Sequence, residues 1–507
     1  MQPEWSAIAY SLVLDFCARR RRAGRVVRSS VSLCGFVAVI EVRAAAWGSA
    51  VVLVPLLAGP AAPGRPVGLE ARAGNWCATG GGRLEPPVVL SSQVCGETSY
   101  MEGILAGLAE LRAPLTELYK DLHAHPELAF QEHRTAGKVA DCLRQTGIEV
   151  TTGVGGTGVV GVISNGDGPR VLLRADFDAL PVTEETGLPY ASTIPGVMHA
   201  CGHDMHVACL LGALELLAGA KSAWSGTIVA IFQPAEEVGS GARKVIADGF
   251  FDRFGVPAVV LGQHVAPLPS GWIGAHAGPA FAAQDQLKVT LYGKGGHGSQ
   301  PETTIDPVVM AAATIMQWQT IVSRQVAGVD TAVVTVGSCR AGTESNIIPD
   351  KAELLLSVRT MTEPVRDRVL ASIDRIAKAQ AQAAGAQRAP DITTSGSFPL
   401  LVNDPQAVER TVTAFRARFG PDKVIDPGQG TGSEDVGEFA TASGAPICYW
   451  VFGGTDPARF NKAAQDGTIG TDIPSNHSPL FAPVIQPTLD TGITAVVTAA
   501  LTWLDPS

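Results

Sequence analysis

The sequence predicts an α/β protein in which a largely parallel sheet, covered by helices, carries a smaller α+β module inserted along the chain. Three observations predict it. Apolar, β-rich runs at 170 to 176 ("RVLLRAD"), 226 to 233 ("GTIVAIFQ") and 258 to 265 ("AVVLGQHV") are each separated from the next by a helical stretch, the order of a parallel sheet with crossover helices. In all three runs polar residues lie at or just beyond the C-terminal end: Asp176 and Asp178, Glu236 and Glu237, then His264. Open α/β sheets bind ligands outside the carboxyl ends of their strands, so these groups are expected to converge on one crevice. From about residue 285 the pattern changes to β-α-β-β-α, which defines the module.

The chain has 507 residues, 46% apolar and 17% charged, which suits two or three globular domains. Its formal net charge of −10 and the lack of a long basic stripe argue against nucleic acid and favour a small-molecule or peptide partner. Nine irregularly spaced cysteines do not form a disulfide framework, and reduced thiols fit the cytoplasm.

Residues 1 to 100 are set apart by composition, with ten arginines, no lysine, and no helical or strand period that matches a fold. They are read as an atypical, poorly ordered extension, with the natural start at or near Met101. Within them, the nineteen uncharged residues Ala44 to Ala62, downstream of the Arg19 to Arg22 run, form the one candidate membrane segment. Its prolines and many small residues make a weak spanning helix, so a membrane partner is not expected. Export or anchoring through 44 to 62 is the alternative to a cytoplasmic location.

From Met101 the pattern is regular. Leu105, Leu108, Leu111, Leu115, Leu118 and Leu122 recur three or four apart and predict an amphipathic helix ending near Pro126. "GVVGVIS" at 158 to 164 reads as a strand, and "HVACLLGALELLAGA" at 206 to 220 as a buried helix. The module then runs as strand, Gly-rich turn and helix, two strands, a second helix through "EPVRDRVLASIDRIAKAQAQAA", and a closing strand near 391 to 397. After it, the strand "APICYWVFG" (445 to 453) and the polar loop "NHSP" (476 to 479) resume the first pattern. The expected divisions are 1–100 for the extension, 101–284 and 398–507 for the two parts of the larger domain, and 285–397 for the inserted module.

The decapeptide "HACGHDMHVA", residues 199 to 208, concentrates potential ligands. A lone cysteine or histidine is more often packing than ligand. Cys201 and His203, however, precede a helix on a loop, where both can face one ion. Thiolate and imidazole suit zinc, and accept manganese or cobalt when carboxylates share the site. Glu237 and His264, arriving at neighbouring strand ends, would complete the set. Glu236 and Glu237 would repel each other without a cation nearby. A hydrolase needs one carboxylate to hold the metal and another, unligated, to take a proton from water, and two adjacent glutamates supply both.

The motifs "DLHAHPELAFQE", "LLRADFDALPVTEETGLPYAS", "GVMHACGHDMHVACLLGA", "QPAEEVGSGARKVIADG", "GQHVAPLPSG", "GGHGSQPETTIDPV", "GTESNIIPDKAELLLSVRT", "GSEDVGEF" and "NHSPLF" occur in one order. In that order the chain resembles the metal-dependent amidohydrolases related to hippurate hydrolase, auxin-conjugate hydrolases and N-acyl-amino-acid amidohydrolases. The resemblance covers about residues 101 to 505. It implies a metallo-exopeptidase-like catalytic domain with a ferredoxin-like lid that also mediates dimerisation, giving a homodimer or homotetramer. It implies a centre of two divalent ions (zinc, manganese, cobalt or nickel) held by Cys201, His203, Glu237, His264 and His477, with Glu236 as general base acting on a metal-activated water. It further implies that His297 polarises the scissile carbonyl, in its own or a partner subunit, and that Asn346 and Arg359 bind substrate from the lid. The expected reaction is hydrolysis of an N-acyl or aroyl amino acid to a carboxylic acid and an amino acid.

Other polar residues carry plainer readings. Asp176 and Asp204 are candidates for orienting the ligands from behind, and Asp204 could equally cap the following helix. His123, His125, His199, His206, Glu434 and Asp435 read as structural. Two alternatives stand beside the amidohydrolase: a dipeptidase or carboxypeptidase of the same fold, and a non-catalytic protein that binds amino-acid conjugates.

Overall fold

In the computed structural model the described residues are 101–506 together with three earlier strands, β1 (Val27–Cys34), β2 (Val37–Ala44) and β3 (Ser49–Pro55). The chain divides into two units, Met1–Pro87 and Val88–Ser507. In the first, β1, β2 and β3 pair antiparallel in that order, Val27 opposite Ala44 and Val37 opposite Pro55. This corrects the reading that no strand pattern exists there: the segments are valine-rich, and β-branched residues suit a pleated chain even where alternation is weak. β3 takes up Ser49–Pro55 of the candidate membrane stretch; the other expectations for residues 1 to 100 lie outside the described residues. Among the described residues no helix is long and apolar enough to cross a membrane.

The second unit begins with α1 (Leu108–Ala124) and α2 (His133–Gln145), followed by β4 (Glu149–Val154), β5 (Gly158–Asn165) and β6 (Arg170–Asp176). Next come α3 (His203–Gly219), β7 (Trp224–Gln233), short helices at Gly241–Ala247 and Phe250–Phe254, β8 (Val259–Pro269), β9 (Ile273–Gly274) and β10 (Gly278–Phe281). The following segment comprises β11 (Ala283–Tyr292), β12 (Gly296–His297), α4 (Pro307–Thr320), β13 (Ala332–Ala341), β14 (Ile347–Ile348), β15 (Lys351–Thr360), α5 (Glu363–Ala383) and β16 (Asp391–Phe398). The chain returns through β17 (Leu401–Asn403), α6 (Pro405–Phe419), β18 (Val424–Ile425), β19 (Ile447–Thr455), α7 (Ile485–Trp503) and β20 (Asp505–Pro506).

The main sheet has the order β18-β9-β19-β8-β6-β7-β5-β4, with β20 also pairing to β7. Its centre, β19-β8-β6-β7, is parallel, while β5 and β4 continue antiparallel. Alternate residues of the central strands enter different cores. Val171, Leu173, Ile228 and Leu261 face α1, α3 and α7, whereas Leu172, Val229 and Val260 face Val245, Phe250 and Phe439. Burial on both faces is why these strands read as unbroken apolar runs. α3 is likewise buried almost all round. At Gly212 a Cβ would lie 2.6 Å from Leu115 and 2.8 Å from Ile493, so only glycine lets α1, α3 and α7 approach this closely.

The β11 to β16 segment forms an antiparallel sheet of order β13-β15-β11-β16 with its own apolar core, in which Leu287, Leu354 and Leu356 pack with Trp318 of α4 and Ile373 of α5. Its helices start at side-chain caps. Asp306 accepts from the Val308 amide at 2.8 Å with Pro307 in the first turn, and Thr362 accepts from Val365 at 3.4 Å. Such caps contribute about 1 kcal/mol each and set where a helix begins.

Candidate metal centre

Three parallel strands and two loops bring the expected ligands together. β6 ends at Asp176, with Asp178 two residues on; β7 leads to Glu236 and Glu237; β8 carries His264. The turn before α3 supplies Cys201, the first residue of α3 is His203, and the loop before α7 supplies His477. Gly202, between the first two ligands, has φ +85, and a Cβ there would lie 2.4 Å from Val265. Glycine is therefore required both for the left-handed turn and for the approach to β8. Asn476 ties the last loop down, its amide donating to the carbonyls of Cys201 and Val265 at 3.1 Å each. His477 itself has φ +70, a strained value for a side chain with a Cβ, held by a bond from its amide to Ala200 at 2.8 Å.

The ligand atoms form two triads that share one thiol. Cys201, His203 and His264 offer atoms within 4.8 Å of one another, as do Cys201, Glu237 and His477. Within them, Cys201 Sγ is 3.3 Å from His264 Nε2 and His477 Nε2 is 3.4 Å from Glu237 Oε2; between them, His203 Nε2 is 3.8 Å from Glu237 Oε1. Glu236 joins His203 and Glu237 in a third group of the same tightness. Both ring nitrogens of buried His203, and Glu237 Oε1, lack a hydrogen-bond partner among the described residues. An unmade bond to a buried polar atom costs about 1–3 kcal/mol, so Glu237 Oε1 and the one unprotonated nitrogen of a neutral His203 fit the donor set of a cation. The mixed thiolate, imidazole and carboxylate chemistry fits the same conclusion.

Neighbouring hydrogen bonds settle the tautomers. His264 Nδ1–H donates to its neighbour's carbonyl, Val265 O, at 2.7 Å, leaving the Nε2 lone pair directed at the thiol. His206 donates through Nδ1 to Asp176 at 2.5 Å and accepts from the Val265 amide at Nε2, 2.8 Å. Both its nitrogens are engaged, so His206 is a neutral strut and offers no lone pair to an ion. Asp176 also stands 3.7 Å from His203 Nε2, and Asp178 3.4 Å from His203 Nδ1. Such partners orient a ligating imidazole and fix its free nitrogen.

The electrostatics of the protein atoms alone call for positive charge. Burial, then the Glu237 and Glu236 carboxylates, push the Cys201 thiol well above its ordinary range. Burial, with Asp178 and Asp176 acting against His203, pushes Glu237 up to about 8. Burial, then Glu434 and Glu237, raises Glu236. For His203 burial works in the opposite direction, but Asp176, Asp178 and Glu237 raise it to about 10. A cation would release these protons and take their place.

Behind Glu236 lies a buried ionic cluster that the sequence reading left as structural. Arg174 meets Asp176 at 2.5 Å, Glu434 at 2.8 Å and Asp435 at 3.1 Å, all of them fully or almost fully buried. Glu434 also accepts from the Tyr449 hydroxyl at 2.5 Å, and Asp435 accepts from Gln233 at 2.8 Å and from the Ala242 amide at 3.0 Å. Glu236, Glu434 and Asp435 have oxygens within 4.8 Å of one another. The signal in the sequence is the charge of Arg174 following the apolar Val171, Leu172 and Leu173 inside a strand, since such a group is buried only with partners.

The remaining candidates stand elsewhere. Asp204 is turned away from the ligands: Oδ2 pairs with His123 at 2.6 Å and Oδ1 accepts from the Met205 amide at 2.9 Å, so it serves α3's first turn without capping it. The residue at the helix start is Gly202, which leaves Asp204 inside the helix. His297, on β12, is exposed and bonds through Nδ1 to Ser299, at 3.0 Å from the amide and 2.7 Å from the hydroxyl. Asn346 is exposed too, and its carbonyl accepts from Gly298 at 2.8 Å. Neither belongs to the cluster of ligand atoms. Arg359 lies closer: it donates to Thr431 O at 2.7 Å and Ser433 Oγ at 3.1 Å, and burial, then the charges of His203 and Arg359, lower the pKa of His477. No carboxylate of the described residues pairs with it.

The family model of peptidase family M20/M25/M40 matches residues 172–465. N-acetyl-L-cysteine deacetylase of Bacillus subtilis is 41% identical over 332 residues, 65% of this chain and 78% of that protein. Thermostable carboxypeptidase 2 of Saccharolobus solfataricus is 37% identical over 358 residues, 70% and 89% of the two chains. Among solved structures, a dinuclear metal-binding M20 peptidase of Bacillus subtilis superposes with a TM-score of 0.63 at 32% identity, covering 78% of this chain and 98% of that one. The chain belongs to peptidase family M20/M25/M40 and is a metal-dependent amidohydrolase.

Proposed function

We propose that this chain hydrolyses the amide bond of N-acyl or aroyl amino acids, releasing a carboxylic acid and an amino acid, with Glu236 as general base. The observation that carries the reading is the pair of triads sharing Cys201, with Glu236 beside both and outside either. Cys201, His203 and His264 would hold one divalent ion and Cys201, Glu237 and His477 a second. Zinc, manganese, cobalt and nickel all suit such a donor set. When bound, the ions polarise the scissile carbonyl and make water more acidic.

Glu236 accepts a proton from the attacking water and delivers it to the leaving nitrogen as the C–N bond breaks. Arg359, a cation without a carboxylate partner among the described residues, binds the carboxylate of the amino-acid half, with Asn346 beside the same lid. His297 stabilises the developing oxyanion. Among the described residues its ring bonds only to Ser299, through Nδ1, which leaves Nε2 open and supports its serving the centre of a second copy in a homodimer or homotetramer joined through 285–397. The similarity to a deacetylase of N-acetylated cysteine supports the substrate class. The similarity to a carboxypeptidase favours a second reading, cleavage of a C-terminal residue by the same chemistry.

The test is Glu236→Gln, assayed with N-acetyl, N-benzoyl and aminoacyl substrates. A loss of about 10²–10⁴-fold in kcat with unchanged metal content is expected. Turnover near wild type would remove the base assignment, and a preference for aminoacyl over N-acyl substrates would install the peptidase reading.

A further inference from the structure

Glu132 occupies the residue before α2, where a side chain ordinarily accepts from the first amides of the helix. Another residue performs that task here. The amides of Arg134 and Thr135 donate to the Glu127 carboxylate at 2.9 and 2.8 Å. The Glu132 side chain, fully buried, reaches in another direction: Oε1 accepts from the Ala235 amide at 2.9 Å and Oε2 from the Thr157 hydroxyl at 2.6 Å. Burying a carboxylate costs free energy, and nothing in the local helix accounts for this one.

Its target is the residue immediately before Glu236. Ala235 has φ +53, a conformation that residues with a Cβ seldom adopt, and it begins the turn on which both glutamates stand. The next two amides, Glu236 and Glu237, each donate to Asp178 at 3.0 Å. On the other side of the turn the Gly241 amide donates to the Ala235 carbonyl at 3.1 Å. Three consecutive N–H groups are thus held by two buried carboxylates. Asp178 also stands against His203, so its loss would disturb a ligand; the hydrogen bonds of Glu132 reach none of the five ligand side chains.

We propose that Glu132 is a positioning residue for Glu236: by anchoring the Ala235 amide it holds the left-handed turn that aims the Glu236 carboxylate. The proposal rests on Glu236 being the base. The experiment compares Glu132→Ala, Glu132→Gln, the double variant Glu132→Ala/Ala235→Gly and Glu236→Gln in the full chain loaded with cobalt(II). It reads kcat, KM, cobalt content and the cobalt–thiolate absorption that reports Cys201. Glu132→Ala should lower kcat by about a hundredfold, with KM, cobalt content and absorption as in wild type. Glu132→Gln, whose carbonyl oxygen can still accept from Ala235, should restore most of that loss. The double variant should recover about tenfold over Glu132→Ala, because glycine holds a positive φ without the anchor. Wild-type kcat in Glu132→Ala overturns the proposal, as does a parallel loss of cobalt in the alanine and glutamine variants. If Glu236→Gln turns over normally, the base reading falls and this proposal with it; if Glu236→Gln is inactive while Glu132→Ala is fully active, only the present proposal falls.

Discussion

Cys201, His203 and Glu236 lie buried among carboxylates and backbone amides that fix them from several sides, whereas His297 on β12 and Asn346 in the turn before β14 are exposed, Arg359 on β15 is half-buried, and all three bond mainly to their own loops or to loop carbonyls. In the deep group the tautomers of His264 and His206 are set by hydrogen bonds, the turn at Glu236 is anchored by its amides, and the donor set suits a cation. The outer group is held by fewer contacts, and none of them is to a buried carboxylate. His477 stands between the two, ligand by contact with Glu237 yet with a side chain 56% exposed. The contrast suggests that ion binding uses preorganisation and substrate selection uses adjustable contacts.

Removing the ion should give the largest effect. Chelation is expected to abolish hydrolysis, and zinc, manganese, cobalt or nickel added back should restore it, each measured by activity against metal content. Full activity in metal-free protein would break the comparison, since the deep donor set would then act without a cation. A smaller change is expected at the rim. Arg359→Ala should raise KM by about ten- to a hundredfold for substrates with a free carboxylate, in keeping with about 1.5–3 kcal/mol for a charged hydrogen bond. It should leave kcat and metal content nearly unchanged, and esterified substrates should show no such penalty. An equal penalty on the ester would remove Arg359 from carboxylate binding.

The smallest effect belongs to a buried pair outside the centre. Burial would lower the pKa of His123, but Asp204 and Glu184 raise it to about 10. Because the folded value lies above the unfolded one, the stabilisation is complete below about pH 6.5 and is lost as pH rises through about 10. The melting temperature should therefore fall by a few degrees between about pH 7 and 10, and His123→Gln should flatten that slope. An unchanged slope in the variant would show that another group titrates.

The candidate ligands that the fold gathers were legible because they sit in short local motifs at strand ends and loops: "CGHD", "AEE", "QHV" and "NHSP". The helical leucines of α1 and the continuous apolar runs of β6 to β8 were legible for the same reason, since periodicity is a local property. The supporting residues were not. Glu132 reads as the end of a motif, and only the fold shows it meeting Ala235, 103 positions away. Glu434 and Asp435 read only as structural, and what they support is visible once Arg174, 260 and 261 positions earlier, is placed beside them. Asp204 reads as a ligand orienter from its place beside His203, yet its carboxylate points to His123.

By itself the sequence determined the alternation of strands and helices, the chemical types gathered at the strand ends, and the separate α+β stretch, because each depends on residues near one another along the chain. Only the tertiary structure decided which carboxylate holds which amide, which imidazole nitrogen is free, and which histidine is a strut. Those choices are made by packing between segments far apart in sequence, where a rotation of one side chain separates a ligand from a support.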